Sequence, residues 1–166
     1  MKWLALLMPV AGLLAQHEPK PPVGVAPPQP IPYSHKLHLG LGLKCVECHR
    51  GVTEKSAAGL PAESLCMNCH RAIKTDGPAI VTLARFHQEK KPVPWARVYL
   101  LPNFVYFSHK RHHVKARIEC AECHGDLASQ EVVRKERPIG MSACMACHDQ
   151  RKANNNCDAC HVAHPR

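Results

Sequence analysis

The sequence predicts a small, mostly irregular fold in which short α-helices pack around covalently bound groups instead of a core of the chain's own side chains. Three observations predict it. All ten cysteines of the 166-residue chain fall in five copies of Cys-x-x-Cys-His, a segment carrying paired histidines and one such motif occurs twice, and aromatic residues make up only 5% of the chain. A unit of about 60 residues with so few large apolar side chains buries too little surface to be stable by packing alone.

The copies run from Cys45 to His49, Cys66 to His70, Cys120 to His124, Cys144 to His148 and Cys157 to His161. On a helical turn, residues three and four apart share a face. Two cysteines so placed can add across the two vinyl groups of one haem, and the next residue, histidine, turns its imidazole toward the iron. Zinc ribbons, thioredoxin-like sites and disulfides use the same cysteine spacing. None of them needs histidine at the fifth position every time. The reading is therefore five covalently attached c-type haems, with thioethers from Cys45, Cys48, Cys66, Cys69, Cys120, Cys123, Cys144, Cys147, Cys157 and Cys160. The proximal ligands are His49, His70, His124, His148 and His161. With haems as the core, the apoprotein is expected to be unfolded.

Residues 1–15 read as a signal peptide: Lys2 gives a positive start, Trp3 to Leu14 is apolar, and Ala15 is a small residue at the cleavage point. Haem attachment to paired thiols belongs outside the cytoplasm, so an exported, periplasmic protein is expected. The apolar stretch is shorter than the about 20 residues that span a bilayer. Residues 16–32 are a Pro-rich stretch, with seven prolines between 19 and 32. They read either as a semi-rigid extended tether or as a disordered mature N-terminus. The folded part is expected to begin near Tyr33.

From there the chain repeats itself. Tyr33-Ser34-His35-Lys36-Leu37-His38 before Cys45 recurs as Phe107-Ser108-His109-Lys110-Arg111-His112 before Cys120, and Leu65-Cys66-Met67 matches Ala143-Cys144-Met145. This predicts a two-haem module over residues 33–90, a connector over 91–106 and a three-haem module over 107–166. Short helices are expected around each motif, with irregular loops between. The apolar run from Val98 to Phe107 is interrupted by Pro102 and Asn103, so it is expected to cross the haems as an extended segment.

Eight histidines lie outside the motifs, and five six-coordinate haems need five distal ligands. The pairs His35 with His38 and His109 with His112 stand just before a motif in each module. Here the sequence resembles the class III cytochromes, in particular the small trihaem c7 type, in which a Phe-x-His-x-x-His segment ligates two different haems. The resemblance implies a c7/c3-like multihaem fold. It also implies that His35 serves the Cys45/Cys48 haem, His38 the Cys66/Cys69 haem, His109 the Cys120/Cys123 haem and His112 the Cys144/Cys147 haem. In the trihaem relatives a histidine shortly before the middle motif reaches the last haem. Met141 stands near that place here, and a thioether ligand would raise the potential of the Cys157/Cys160 haem. His87, His113 and His164 compete for the role, and Met141 also reads as a flexible packing residue.

From Pro94 and Trp95 to Ser108 and His109 the sequence is also similar to the pentahaem cytochrome subunit of alternative complex III. That resemblance implies redox protein partners within a membrane respiratory complex. The formal charge of +9 would suit nucleic acid, but five haems bring about ten propionates. Lys110, Arg111, Lys115 and Arg117 are expected to pair with propionates or with an acidic redox protein. No nucleic acid and no small-molecule substrate are expected. The expected function is electron transfer along low-spin haems, without catalysis by the chain. Two alternatives stand beside it: a multihaem reductase with one open-site haem, and a haem protein that polymerises into a conductive assembly.

Overall fold

The computed structural model describes residues 21–161; the signal segment, residues 16–20 and His164 lie outside them. In chain order the elements are α1 (His35–Gly40), α2 (Cys45–Cys48), α3 (Gly51–Glu54), α4 (Glu63–His70), α5 (Pro78–Gln88), a π-helix (Lys110–Lys115), α6 (Cys120–His124), a 3-10 turn (Leu127–Ser129), α7 (Met141–Gln150) and α8 (Cys157–His161). Every motif sits on a helix, and no strand occurs among the described residues. The fold is thus the expected small, mostly irregular one with short helices.

Side chains alone make a very small core. Ile31, Val52, Leu83, Val93 and Val98 are the buried apolar residues among those described. Three of them, Ile31, Leu83 and Val93, form one cluster, with Ala79, Ile80 and Phe86 packed on it from α5, Cys66 and Met67 from α4, and Trp95 from the connector. Helix α5 has 11 residues and starts with Pro78 at a first-turn position, where its missing N–H costs nothing. Ala79, Ile80, Leu83 and Phe86 then fall on one face at helical spacing. This helix departs from the expectation of irregular loops between motifs, because its apolar face finds a surface to bury against on α4 and the connector.

The Pro-rich stretch departs from the expectation too. Between residues 21 and 32 it is a docked strap: Gly24 N–H donates to the Lys135 carbonyl at 2.7 Å, Lys135 Nζ donates to the Pro21 carbonyl at 2.8 Å, and Gln29 bonds Ala96 in both directions at 2.9 and 3.0 Å. Ile31 enters the core at 4% exposure. The folded part therefore begins before Tyr33. Proline forbids helix, but an extended backbone keeps its carbonyls free to accept. The connector crosses the body without strand pairing, as expected, and Tyr106 N–H donates to the Cys160 carbonyl at 2.7 Å.

The two sequence repeats exchange partners. Helix α1 of the first packs on the 3-10 turn that follows α6 of the second, and the π-helix of the second packs on α3, which follows α2 of the first. Lys36 N–H donates to the Gln130 carbonyl at 3.1 Å on one side, and His109 N–H to the Ser56 carbonyl at 3.0 Å on the other. The modules are units of sequence, interlocked in space. Helices of four to eight residues are unstable alone and must bury a face against something; here each repeat supplies the surface the other needs. One difference between the repeats is structural. His38 precedes Cys45 by seven positions and His112 precedes Cys120 by eight; the extra residue is taken up by the π-helix, closed by Ala116 N–H to the Arg111 carbonyl at 3.0 Å.

The turn under α1 rests on a polar network. Gln130 is 1% exposed; its Nε2 donates to Glu136 Oε1 at 2.6 Å, its Oε1 accepts from Arg134 N–H at 2.8 Å, and Glu136 Oε2 accepts from Asp126 N–H at 2.8 Å. Gly125 enters this turn at φ +73° and ψ −164°, in a region only glycine visits freely. A Cβ there would stand 2.7 Å from Cβ of Glu136. Gly125→Ala is expected to destabilise the holoprotein by at least about 1–3 kcal/mol from backbone strain alone, read as a fall in the denaturant midpoint. An unchanged midpoint would show that the turn does not clamp α1.

Candidate functional site

Four of the five predicted ligand sites are built from one short helix bearing the cysteines and a second element bearing a facing histidine. Helix α1 starts at Ser34, whose Oγ accepts from Leu37 N–H at 3.0 Å. It carries His35 and His38 three residues apart, turned toward two different motifs. The His35 ring stands opposite His49 with centroids 6.5 Å apart and planes within 6°. The His38 ring stands opposite His70 at 6.2 Å and 60°. In the second repeat His109 faces His124 at 6.4 Å and 4°, and His112 faces His148 at 6.0 Å and 27°.

These distances carry chemical meaning. Two imidazoles bound through Nε2 to opposite sides of one metal, with metal–nitrogen bonds of about 2.0–2.1 Å, have ring centres about 6.4 Å apart. Direct stacking would bring rings closer, and unrelated rings would show no common value. All four pairs fall between 6.0 and 6.5 Å. The residues present therefore fit a haem iron between each pair, with the paired cysteines of the proximal motif one and four residues away. Beside Cys48 a cavity of about 580 Å³ is walled by Gly51, Ala58, Leu60 and Leu65 and edged by Arg50 and Lys55. Apolar walls suit a macrocycle, and the polar lining mixes Arg50 and Lys55 with Glu54, Ser64 and Asn68.

Ring orientation is set from behind by backbone carbonyls. The Nδ1 atoms bond carbonyl oxygens of Ser34 from His38 at 2.8 Å, Gly59 from His49 at 2.8 Å, Ile73 from His70 at 3.1 Å, Ser56 from His109 at 2.9 Å, Ser108 from His112 at 2.8 Å and Asn154 from His148 at 2.7 Å. Such a bond places the proton on Nδ1 and leaves the Nε2 lone pair for a metal. Burial also keeps rings neutral. It lowers the pKa of His35 and His109, and it brings His124 down to about 4, with the nearby His109 and His49 adding to the effect.

An aromatic ring braces each distal pair. Tyr33 stacks on His38 at 4.4 Å and meets His35 edge-on at 4.9 Å; Phe107 stacks on His112 at 4.5 Å and meets His109 edge-on at 4.9 Å. On the proximal side Tyr99, from the connector, packs edge-on against His124 at 4.4 Å and donates its hydroxyl to the His124 carbonyl at 3.1 Å. Tyr99 was not among the predicted site residues, because nothing in local sequence ties the connector to a motif 25 positions later.

The fifth motif is different. His161 Nδ1 lies 3.4 Å from the Phe104 carbonyl, and its ring faces that of Phe104 at 6.0 Å. No described histidine stands opposite it. Met141 begins α7 and is 69% exposed. Of its competitors, His87 lies on α5 with its Nδ1 3.7 Å from Glu63 Oε1, in the first repeat, and His113 has its Nδ1 held by the Ile118 carbonyl at 3.1 Å.

The motifs form a row. The Cys66 thiol neighbours Cys48, Cys45 neighbours Cys120, Cys123 neighbours Cys147 and Cys144, and Cys144 neighbours Cys160. The spatial order is therefore second, first, third, fourth, fifth, with the exchanged repeats joined at Cys45 and Cys120.

The family model described as cytochrome c7 and related cytochrome c matches residues 105–162. The multihaem cytochrome c subunit of menaquinone reductase from Nitratidesulfovibrio vulgaris is 28% identical over 160 residues, covering 82% of this chain and 76% of that protein.

Tyr33 offers a test of how tightly the distal pair is enclosed. Burial pushes its phenol up to about 12, with the Cys48 and Cys66 thiols adding while they are free; once both sulfurs are thioethers, burial remains. An unfolded tyrosine ionises near pH 10. The raised folded value means that stability present below pH 10 is lost as pH rises toward 12. Tyr33→Phe is expected to flatten the fall of the holoprotein's thermal midpoint across that window. Parallel curves for the variant and the unmodified protein would show an open, hydrated Tyr33.

Proposed function

We propose that this chain, a multihaem c-type cytochrome, relays single electrons along five covalently attached haems as a subunit of a membrane-associated respiratory complex that handles a quinone. The four histidine pairs at metal-sharing distance carry the electron-transfer part of this reading. The similarity to a menaquinone reductase subunit supports the rest. When bound, a haem iron with two imidazoles cycles between ferric and ferrous states without changing its ligands. His35 with His49, His38 with His70, His109 with His124, and His112 with His148 would each hold one haem iron between them, at four sites. Their carbonyl tethers hold the rings still, so little rearrangement accompanies a change of charge. The row of motifs gives an entry and an exit at unlike ends.

No helix among the described residues is long and apolar enough to cross a membrane. Attachment to a complex would run through protein contacts. An exported location follows from the haem chemistry and the leader-like N-terminus.

A second reading is favoured by one observation: no described histidine faces His161. A haem there with an open position would support reduction of a small ligand. Electron paramagnetic resonance of the ferric holoprotein, with haem content from the pyridine haemochrome, separates the two. The relay predicts five haems, all low-spin. It also predicts two classes of signal, since three ring pairs are within 27° of parallel while His38 and His70 are tilted by 60°. A high-spin, ligand-binding component would establish the open site instead.

Met141 is proposed as the distal ligand of the Cys157/Cys160 haem. Met141→His is expected to lower the potential of that one haem and leave the others in place, because imidazole favours ferric iron more than thioether does. Five unchanged potentials would remove Met141 from the ligand set.

A further inference from the structure

The four paired sites are not equivalent behind their rings. At Cys66/Cys69 both imidazoles are tethered, His70 to the Ile73 carbonyl and His38 to the Ser34 carbonyl. At Cys144/Cys147 both are tethered as well, His148 to Asn154 and His112 to Ser108. At Cys45/Cys48, His49 is tethered to Gly59, but Nδ1 of His35 is buried without any hydrogen-bond partner. At Cys120/Cys123, His109 is tethered to Ser56 across the repeat boundary. The facing His124 ring packs on the edge of Tyr99 with no carbonyl among the described residues bonded to its Nδ1, which, unlike that of His35, is not sealed from solvent.

The contrast follows from the exchanged packing. His38 and His112 each reach the carbonyl four residues back on their own helix, at Ser34 and Ser108, so these tethers come with the repeat. His35 and His109 sit at the start of their segments and must find an acceptor in the opposite repeat. The segment after α3 brings the Ser56 carbonyl to His109 at 2.9 Å. The turn after α6 instead gives its Gln130 carbonyl to the Lys36 backbone at 3.1 Å, leaving His35 unserved.

An Nδ1–H that donates to a carbonyl makes Nε2 a stronger donor and favours ferric iron, lowering the potential; an imidazole without that acceptor does the reverse. The two sites with one untethered imidazole are also neighbours, meeting where Cys45 lies beside Cys120. We propose that the missing tethers at His35 and His124 make the adjoining Cys45/Cys48 and Cys120/Cys123 sites a central pair of higher potential, flanked by lower-potential sites at Cys66/Cys69 and Cys144/Cys147. Electrons arriving from either end would collect in the middle of the row, where two can be held at once. This suits a relay between a two-electron quinone reaction and one-electron partners. The inference rests on the ligand pairing proposed above.

Stepwise oxidation of the full-length holoprotein, followed by exchange NMR with each haem's methyl signals assigned through contacts to its own cysteines and proximal histidine, tests it. The haems at Cys45/Cys48 and Cys120/Cys123 are expected to oxidise after those at Cys66/Cys69 and Cys144/Cys147. Oxidation of either central haem before, or together with, its flanking neighbour overturns the proposal. The ferric spectrum is read first: if either central haem lacks two histidine ligands, the pairing itself is wrong and the proposal falls with it. If both have two, a reversed order refutes the tether argument alone.

Discussion

Two imidazoles held a fixed distance apart are the arrangement on which the rest of this structure depends. A chain with five buried apolar residues among those described cannot specify a fold by side-chain packing, since such a core supplies too little area to offset backbone entropy. What it specifies instead is the position of rings. Each facing histidine comes from a different element from its motif: His35 and His109 face the helix that follows next, while His38 and His112 reach a motif histidine more than 30 positions on. In the proposed holoprotein a metal bond at each pair and thioethers at each motif would play the part that disulfides play in other small domains. The helices can then be short, because they only have to aim a side chain.

That economy explains the interlocking of the repeats. A two-site unit lying alone would expose the outer faces of α1 and α3, along with the unpaired backbone groups of their short ends. Placing a second copy against it buries both sets, and the hydrogen bonds of Lys36 to Gln130 and His109 to Ser56 are the evidence. Exchange also brings the first motif of each repeat to the common boundary. Duplication thus turned two pairs of sites into one continuous row, with the boundary pair in the middle. The strap and connector tie this arrangement from outside, through Gln29 with Ala96 and Lys135 with Pro21.

The site was more legible in the sequence than the fold. Cysteine and histidine spacing is a local property dictated by porphyrin chemistry, and the repeat made His35, His38, His109 and His112 visible as equivalent pairs. The structure brings each opposite a motif histidine. The docking of residues 21–32 was not legible, because proline content reports only what the backbone cannot do, and the few contacts that decide the matter lie more than 60 positions away. Helix α5 did leave a signal, Gly77-Pro78 followed by apolar residues at 79, 80, 83 and 86, which attention to the motifs passed over. The π-helix could have been read from the one-residue difference between His38 to Cys45 and His112 to Cys120. Tyr99 behind His124 and the missing acceptor behind His35 depend on tertiary placement alone.

The row's asymmetry bears on what such a protein is for. A carrier that takes and gives an electron at one exposed edge needs a single haem, and additional sites only enlarge it. A row with unlike ends is useful when donor and acceptor are held apart. The ends here are unlike in structure: the second motif is backed by α5 and the Ile31–Leu83–Val93 cluster, while the fifth rests on Phe104, which is 70% exposed, and on the Tyr106 to Cys160 hydrogen bond. One end is enclosed by the chain's only side-chain cluster among the described residues, and the other stands on a loosely covered segment. An enclosed end favours a permanent neighbour, since a fixed surface can be matched once and kept. A thinly covered end favours a partner that comes and goes. Within an assembly, a relay needs both.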